Sequence, residues 1–138
     1  MKVIDTGQTV TIEHPEKWGF TSHEVSFNSR YPGEEHLVLG ITIQLNGPYG
    51  CVPLLEIDTV ESGTIISFPI TLFRVTDERT SRYWQARFDS DSGLFTLWPE
   101  LFYTHAFHDR LSNGEEELEK RYRELWRLME AEHREESD

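Results

Sequence analysis

The chain has 138 residues and a formal net charge of −12, because 25 Asp and Glu stand against 13 Lys and Arg. This length suits one domain with one continuous core, and the abundance of Trp, Tyr and Phe argues against disorder. An acid excess repels nucleic acid, so we expect no nucleic-acid partner. No apolar run approaches the ~18 residues of a membrane span, and the N-terminus lacks the apolar stretch of a signal peptide. We therefore expect a cytoplasmic protein without a membrane partner.

The first 98 residues alternate between apolar-rich segments and turn residues, which is typical of a β-rich region. The clearest strand spans residues 37–45, where every second residue is Leu or Ile and would place one apolar face on a core. Residues 81–88 and 94–98 predict a hairpin around an Asp/Ser/Gly turn at 89–93. We expect further strands at residues 8–12, 24–27, 51–57 and 64–75.

The C-terminal residues change to a helical period. Pro99 suits the first position of a short helix that reaches about residue 108. Ser112 and Glu115 have the spacing of a capping box, which predicts a second helix over residues 114–135. One stripe of this helix is apolar and must cover the sheet. Its members are Leu118, Tyr122, Leu125 and Met129, with Trp126 and Leu128 at its edges.

These elements predict an α+β fold in a single domain over residues 1–138, mainly β over 1–98 and helical over 99–138. The sheet is expected to be a curved antiparallel meander of about six strands. Its apolar face would pack against the C-terminal amphipathic helix, because the sheet is the only large apolar surface available to that helix.

Two side-chain groups resemble metal sites by spacing alone. His105 and His108 stand three residues apart, a spacing that can hold a divalent metal when a further ligand such as Glu100 or His14 joins them. The recognised His-Glu-x-x-His pattern is absent, so we interpret them as structural or surface histidines. A second group matches positions one, three and twelve of a calcium loop, but the intervening glycine is misplaced, so an ordinary turn explains it. This group consists of Asp89, Asp91 and Glu100. We expect no bound metal and no cofactor.

No catalytic constellation is recognisable in the sequence. Cys51, the only cysteine, has no cysteine-hydrolase signature around it and is interpreted as a small buried hydrophobe. Phosphate-cradling loops and Ser-centred elbows are absent. The sequence therefore favours a binding protein over an enzyme and predicts no catalytic residue.

The leading functional hypothesis is a small acidic cytosolic binding protein, of the inhibitor or immunity type, that neutralises a basic protein partner. Charge complementarity would speed association, and aromatic side chains would anchor the contact. The acids of the strands and loops have fewer bases in i,i+4 register than those of the C-terminal helix, so we expect the binding surface there. The predicted partner-binding residues are Glu34, Glu35, Glu56, Asp58, Glu61, Tyr83 and Tyr103.

Two alternatives remain open. A curved sheet closed by a long helix can leave a cavity lined by aromatic residues, as in a small-molecule-binding domain or an enzyme. Alternatively, the apolar stripe of the helix could form a dimer seam, as in a structural subunit or a secretion-type chaperone.

Overall fold

The computed structural model of the chain describes residues 1–7, 9–12, 25–28, 32–45, 53–59 and 64–135. The fold is α+β, as the sequence predicts. Its elements are β1 Lys2–Asp5, β2 Thr9–Ile12, β3 Val25–Asn28, β4 Glu35–Leu37, β5 Gly40–Gln44, β6 Leu54–Thr59, β7 Thr64–Pro69, β8 Phe73–Asp77, β9 Trp84–Asp89, β10 Leu94–Pro99, α1 Phe107–Ser112 and α2 Glu116–Glu135.

Eight of these strands form two antiparallel sheets. The larger sheet has the order β7-β6-β5-β10-β9, and the smaller one has the order β4-β1-β8. Strands β2 and β3 form a separate antiparallel pair. The predicted single meander of about six strands is therefore only approximate, because the chain divides its strands between sheets.

The division occurs where the sequence predicts two long strands. Residues 37–45 are interrupted at Val38 and Leu39, so that β4 lies in the smaller sheet and β5 in the larger one. Residues 64–75 are interrupted by a 3-10 helix at Ile70–Leu72, which separates β7 from β8. Pro69 precedes this helix and has no N–H to continue a ladder. Each predicted strand thus connects the two sheets instead of extending one of them.

Two buried clusters explain why an uninterrupted apolar face is absent from residues 37–45. Leu37 and Leu39 belong to a helix-side cluster with residues of α1 and α2. Val38 belongs to a second cluster, and Ile41 packs against that second cluster. Leu45, at the end of the predicted face, is 48% exposed. The break at 38–39 therefore sends the apolar side chains to two different cores.

Gly40 begins β5 at a place where the backbone closely approaches an indole ring. A Cβ atom at this position would lie 2.8 Å from Cδ1 of Trp98 and 3.1 Å from the carbonyl oxygen of Leu97. The pairing of β5 with β10 brings these residues together. A glycine here lets the ring cover the strand, and the Trp98 indole N–H donates to Oγ1 of Thr42 at 3.0 Å.

The predicted hairpin is confirmed. Strands β9 and β10 pair antiparallel from Asp89 opposite Leu94 to Trp84 opposite Pro99. In the connecting turn, the backbone N–H of Asp91 donates to Oδ1 of Asp89 at 3.0 Å. This side-chain-to-backbone bond is the turn chemistry expected of Asp.

The predicted short helix over residues 99–108 is divided in two. A 3-10 helix covers Glu100–Tyr103, and α1 begins at Phe107. Ala106, between them, has a φ of 53°, in the left-handed region that interrupts a right-handed helix. His105 therefore lies outside α1, whereas His108 lies inside it.

The predicted capping box at Ser112 and Glu115 is wrong. Ser112 is the last residue of α1, and the turn to α2 uses Gly114 with a φ of 77°. The carboxylate of Glu115 accepts hydrogen bonds from Arg110, at 2.7 Å from Nε and 2.6 Å from Nη2. Its backbone carbonyl accepts the N–H of Glu119 at 3.0 Å. The side chain thus fastens α1 to the start of α2 instead of capping α2.

The apolar stripe of α2 packs on the helix-side cluster, as predicted. Leu118, Tyr122 and Met129 are buried, and Leu125 is half-buried against them. The contact then continues as polar interactions, because the carboxylate of Glu132 accepts the Ser81 hydroxyl at 2.7 Å and the backbone N–H of Arg82 at 3.0 Å. None of the helices in the described ranges is both long and apolar enough to cross a membrane.

Candidate binding surfaces on the two flanks of the C-terminal helix

Two large apolar side chains of α2 remain at the surface, one on each side of the buried stripe. Trp126 is 36% exposed and Leu128 is 44% exposed. At 3.6 residues per turn, Trp126 shares its flank with Glu130, and Leu128 shares the opposite flank with Arg121. Each flank borders a concave surface that the rest of the fold completes.

The first surface is a small acidic hollow beside Trp126, here called the Trp126 hollow. It encloses about 190 Å³ between β1, β4, β6 and α2. Its residues are Lys2, Glu35, His36, Leu37, Asp58, Trp126 and Glu130.

The charges in the Trp126 hollow are arranged around one lysine. Nζ of Lys2 lies 3.1 Å from Oε1 of Glu130 and 3.8 Å from Oε1 of Glu35. The Glu35 carboxylate also accepts the hydroxyl of Thr76 at 2.8 Å. With the Asp58 carboxylate, the hollow holds three acids against this one lysine, so its charge has the same sign as that of the whole chain.

Asp58 also connects the hollow to the buried stripe of α2. Its Oδ2 accepts the hydroxyl of Tyr122 at 2.7 Å. Burial, followed by this hydrogen bond, raises the pKa of Tyr122, so the phenol stays protonated and acts as the donor. The tyrosine therefore holds the Asp58 carboxylate at the edge of the core.

The second surface is a larger groove on the Leu128 flank, here called the arginine groove. It is an open groove of about 710 Å³ between β9, the 3-10 helix at Glu100–Tyr103 and α2. Its residues are Arg82, Tyr83, Gln85, Arg87, Pro99, Glu100, Leu101, Tyr103, Thr104, Arg121, Glu124, Leu125 and Leu128.

The hydroxyl and the ring of Tyr103 both have partners in the arginine groove. The hydroxyl donates a hydrogen bond to the carbonyl oxygen of Gln85 at 2.8 Å. The same hydroxyl oxygen lies 2.8 Å from Oγ1 of Thr96. The guanidinium carbon of Arg87 stands 3.9 Å from the centre of the Tyr103 ring. This cation–π contact places a positive charge over an immobilised aromatic face.

The predicted partner-binding residues are divided between these surfaces. Glu35 and Asp58 line the Trp126 hollow, and Glu34 is exposed beside Glu35. Tyr83 and Tyr103 instead line the arginine groove. Glu61, which completes the prediction, lies outside the described residues.

Among the predicted partner-binding residues, Glu56 is buried and does not lie at the surface. It is only 4% exposed, and its carboxylate lies 2.7 Å from Nε2 of His108 and 3.4 Å from the donating hydroxyl of Thr42. Both partners approach from neighbouring elements, His108 from α1 and Thr42 from β5. Spacing correctly places Glu56 and Asp58 on one face of β6, but Glu56 is buried and therefore cannot belong to an exposed acidic surface.

Of the two groups with metal-like spacing, His108 and Asp89 have protein partners. His108 contacts Glu56 as described, and His105 is exposed at the bend before α1. Asp89 and Asp91 form the hairpin turn. Within the described ranges, no three His, Cys, Asp or Glu side chains are grouped so that they could hold a metal ion. Cys51 lies outside the described residues.

Sequence reasoning missed the residues that make each surface concave. Trp126 and Glu130 follow i,i+4 spacing, and Arg121, Leu125 and Leu128 follow the i, i+4, i+7 spacing of one helix flank. That spacing is legible in the sequence. The residues that face each flank cannot be identified from this spacing, because Lys2 and Arg87 come from distant strands.

No protein-family model, curated protein or solved structure matches this chain.

Proposed function

We propose that this chain is a small acidic binding protein, of the inhibitor or immunity type, that neutralises a basic protein partner in the cytoplasm. The single observation that carries the proposal is the exposed indole of Trp126 beside the carboxylates of Glu35, Asp58 and Glu130. Tryptophan is the residue type most enriched at the energetic centres of protein interfaces. Carboxylates around it would favour a partner that presents Lys or Arg.

The hollow is small, so the proposal assigns it one anchoring side chain of the partner and not the whole interface. The remaining contact would extend over neighbouring acids such as Glu34, whose side chain is 63% exposed. Solvent-accessible carboxylates of this kind contribute to the association rate and to specificity more than to affinity. The affinity is therefore expected to depend mainly on Trp126.

Affinity capture from the source cell, with matched variants as bait, tests this proposal. We expect the wild-type chain to retain a basic protein that Trp126→Ala loses, with Kd about 30-fold weaker for the purified pair. Phe88→Ala is the control for the aromatic change, because Phe88 is 55% exposed on β9 and lies outside the hollow. Equal retention by Trp126→Ala and the wild type would refute the proposal.

The charge contribution is tested on the same purified pair. Glu35→Gln should slow association, and the wild-type association rate should fall as salt is raised from about 50 mM to about 500 mM. Glu116→Gln removes one exposed charge in the first turn of α2, outside the hollow, and should leave the rate nearly unchanged. A rate that does not depend on salt would contradict the acidic surface.

A further inference from the structure

The arginine groove differs in charge from the rest of the molecule. Three arginines and two glutamates line it, in a chain whose net charge is −12. Arg87 and Arg121 form no ion pair with any residue in the described ranges, although the chain has almost twice as many acids as bases. The lining residues therefore sum to one positive charge, and an anion would be attracted near the two arginines without an ion-pair partner among the described residues.

Arg87 is arranged in advance for such a contact. Its guanidinium lies over the Tyr103 ring, and the hydroxyl of that tyrosine is fixed by Thr96 and Gln85. Stacking on the face of a ring leaves the N–H donors at the edge of the guanidinium plane available for a carboxylate or phosphate. Less side-chain entropy is then lost on binding than for an unrestrained arginine.

The groove also offers apolar surface next to its charges. Leu128 is 44% exposed, and both Leu125 and the ring of Tyr83 line the same concavity. The open groove has a volume of about 710 Å³, within the range of about 300–1,000 Å³ that is usual for sites of small organic ligands. Size, charge and apolar lining thus describe one class of ligand.

We propose that the arginine groove binds a small organic anion, with its apolar or aromatic body against Tyr83, Leu125 and Leu128. Its carboxylate or phosphate group is held by Arg87 and Arg121. The site is separate from the Trp126 hollow, because the two lie on opposite flanks of α2 and share no residue.

Calorimetric titration of the full chain with four probes tests the site. The probes are 1-naphthyl phosphate, 1-naphthoate, neutral 1-naphthol and inorganic phosphate. We expect saturable one-to-one binding of at least one naphthyl anion, with 1-naphthol and inorganic phosphate at least about 10-fold weaker, because each offers only half of the required chemistry. The stronger of the two anions identifies the charged group as phosphate or carboxylate.

Variants then locate the bound probe. Arg87→Gln and Arg121→Gln should each weaken the naphthyl anion about 10-fold, which corresponds to the loss of one charge-assisted contact. Arg127→Gln is the matched control, because Arg127 is exposed on α2 and does not line the groove. Trp126→Ala should leave probe binding unchanged, so this test can fail or succeed independently of the protein-binding surface.

Three results would overturn the proposal. One is the absence of saturable binding by both naphthyl anions, and another is equal weakening by Arg127→Gln, which would indicate a response to net charge only. The third is self-association through the same groove, seen as a dimer in sedimentation that Leu128→Ser converts to a monomer. In that case the occupant would be a second copy of the chain.

Discussion

At the scale of single residues, carboxylates bind α2 to the strands that it crosses. Asp58 contacts Tyr122, Glu130 contacts Lys2, and Asp77 contacts His133 at 2.7 Å. Within the described ranges, no buried side-chain nitrogen or oxygen atom lacks a hydrogen-bond partner. Part of the acid excess therefore also has a structural role, since each of these carboxylates accepts a hydrogen bond from a donor inside the molecule.

Asp77 shows how such a carboxylate makes stability depend on pH. Hydrogen bonds from Arg79, with a smaller contribution from His133, hold the pKa of the Asp77 carboxyl well below its ordinary value of 3.8. A carboxyl whose pKa is lowered by folding stabilises the protein above the unfolded-state pKa. This stabilisation is lost as the pH falls toward the lower pKa of the folded state.

The replacement Asp77→Asn is therefore expected to lower the free energy of unfolding by about 1–2 kcal/mol at pH 5. At pH 3 the difference between the variant and the wild type should be smaller, because protonation of the unfolded wild-type carboxyl removes part of the advantage. Urea unfolding of both proteins at the two pH values measures this. A difference that is as large at pH 3 as at pH 5 would show that the charge of Asp77 is irrelevant.

At the scale of elements, α2 has one buried stripe and two flanks that each border a concave surface. Met129 is 1% exposed at the centre of the stripe, whereas Leu125 is half-buried at its border with the arginine groove. The stripe supplies the packing, while Trp126 on one flank and Arg121 on the other remain accessible. The same helix can therefore support two independent surfaces without loss of core contacts.

This arrangement predicts unequal costs for two similar truncations. Met129→Ala should destabilise the protein by about 2–5 kcal/mol, because it leaves a cavity in the core. Leu125→Ala should cost less, about 1–2 kcal/mol, because part of that side chain already contacts solvent. Denaturant unfolding of both variants ranks them. The reverse order would mean that Leu125 is packed more completely than Met129, which would contradict the exposures of these two side chains.

At the scale of the whole molecule, the charge of −12 is not uniformly distributed. The Trp126 hollow carries the sign of the chain, and the arginine groove carries the opposite sign among its lining residues. A molecule with this arrangement can present an acidic face to one ligand and a cationic concavity to another. The net charge alone describes neither surface.

The remaining excess of like charge should still oppose folding. Raising sodium chloride from about 0.01 M to about 0.15 M shortens the Debye length from about 30 Å to about 8 Å, which screens long-range repulsion more than short ion pairs. We expect Tm to rise by about 2–4 °C, equivalent to about 1 kcal/mol. Calorimetry over this salt range measures the change. A fall in Tm would mean that attractive pairs such as Lys2–Glu130 outweigh the repulsion.

Local pattern predicts several elements of this fold well. The hairpin of β9 and β10 has its turn residues in sequence, and α2 has a regular apolar stripe, so both were predictable from spacing. The strand breaks within residues 37–45 and 64–75 could not be predicted in this way. In both segments the alternation of apolar residues continues through the point where the chain passes from one sheet to the other. Alternation records which residues share a face only while the strand stays in one sheet.

By itself, the sequence determined the α+β class, the acid excess and the residues on each face of α2. Tertiary structure alone decided which elements cover those faces. Glu56 and Asp58 share one face of β6, yet the first is buried against His108 of α1 and the second borders an open hollow. Spacing along a chain reports common orientation, whereas exposure depends on packing by segments distant in sequence. For that reason the acids could be counted from the sequence, but the concave surfaces beside α2 could not be located.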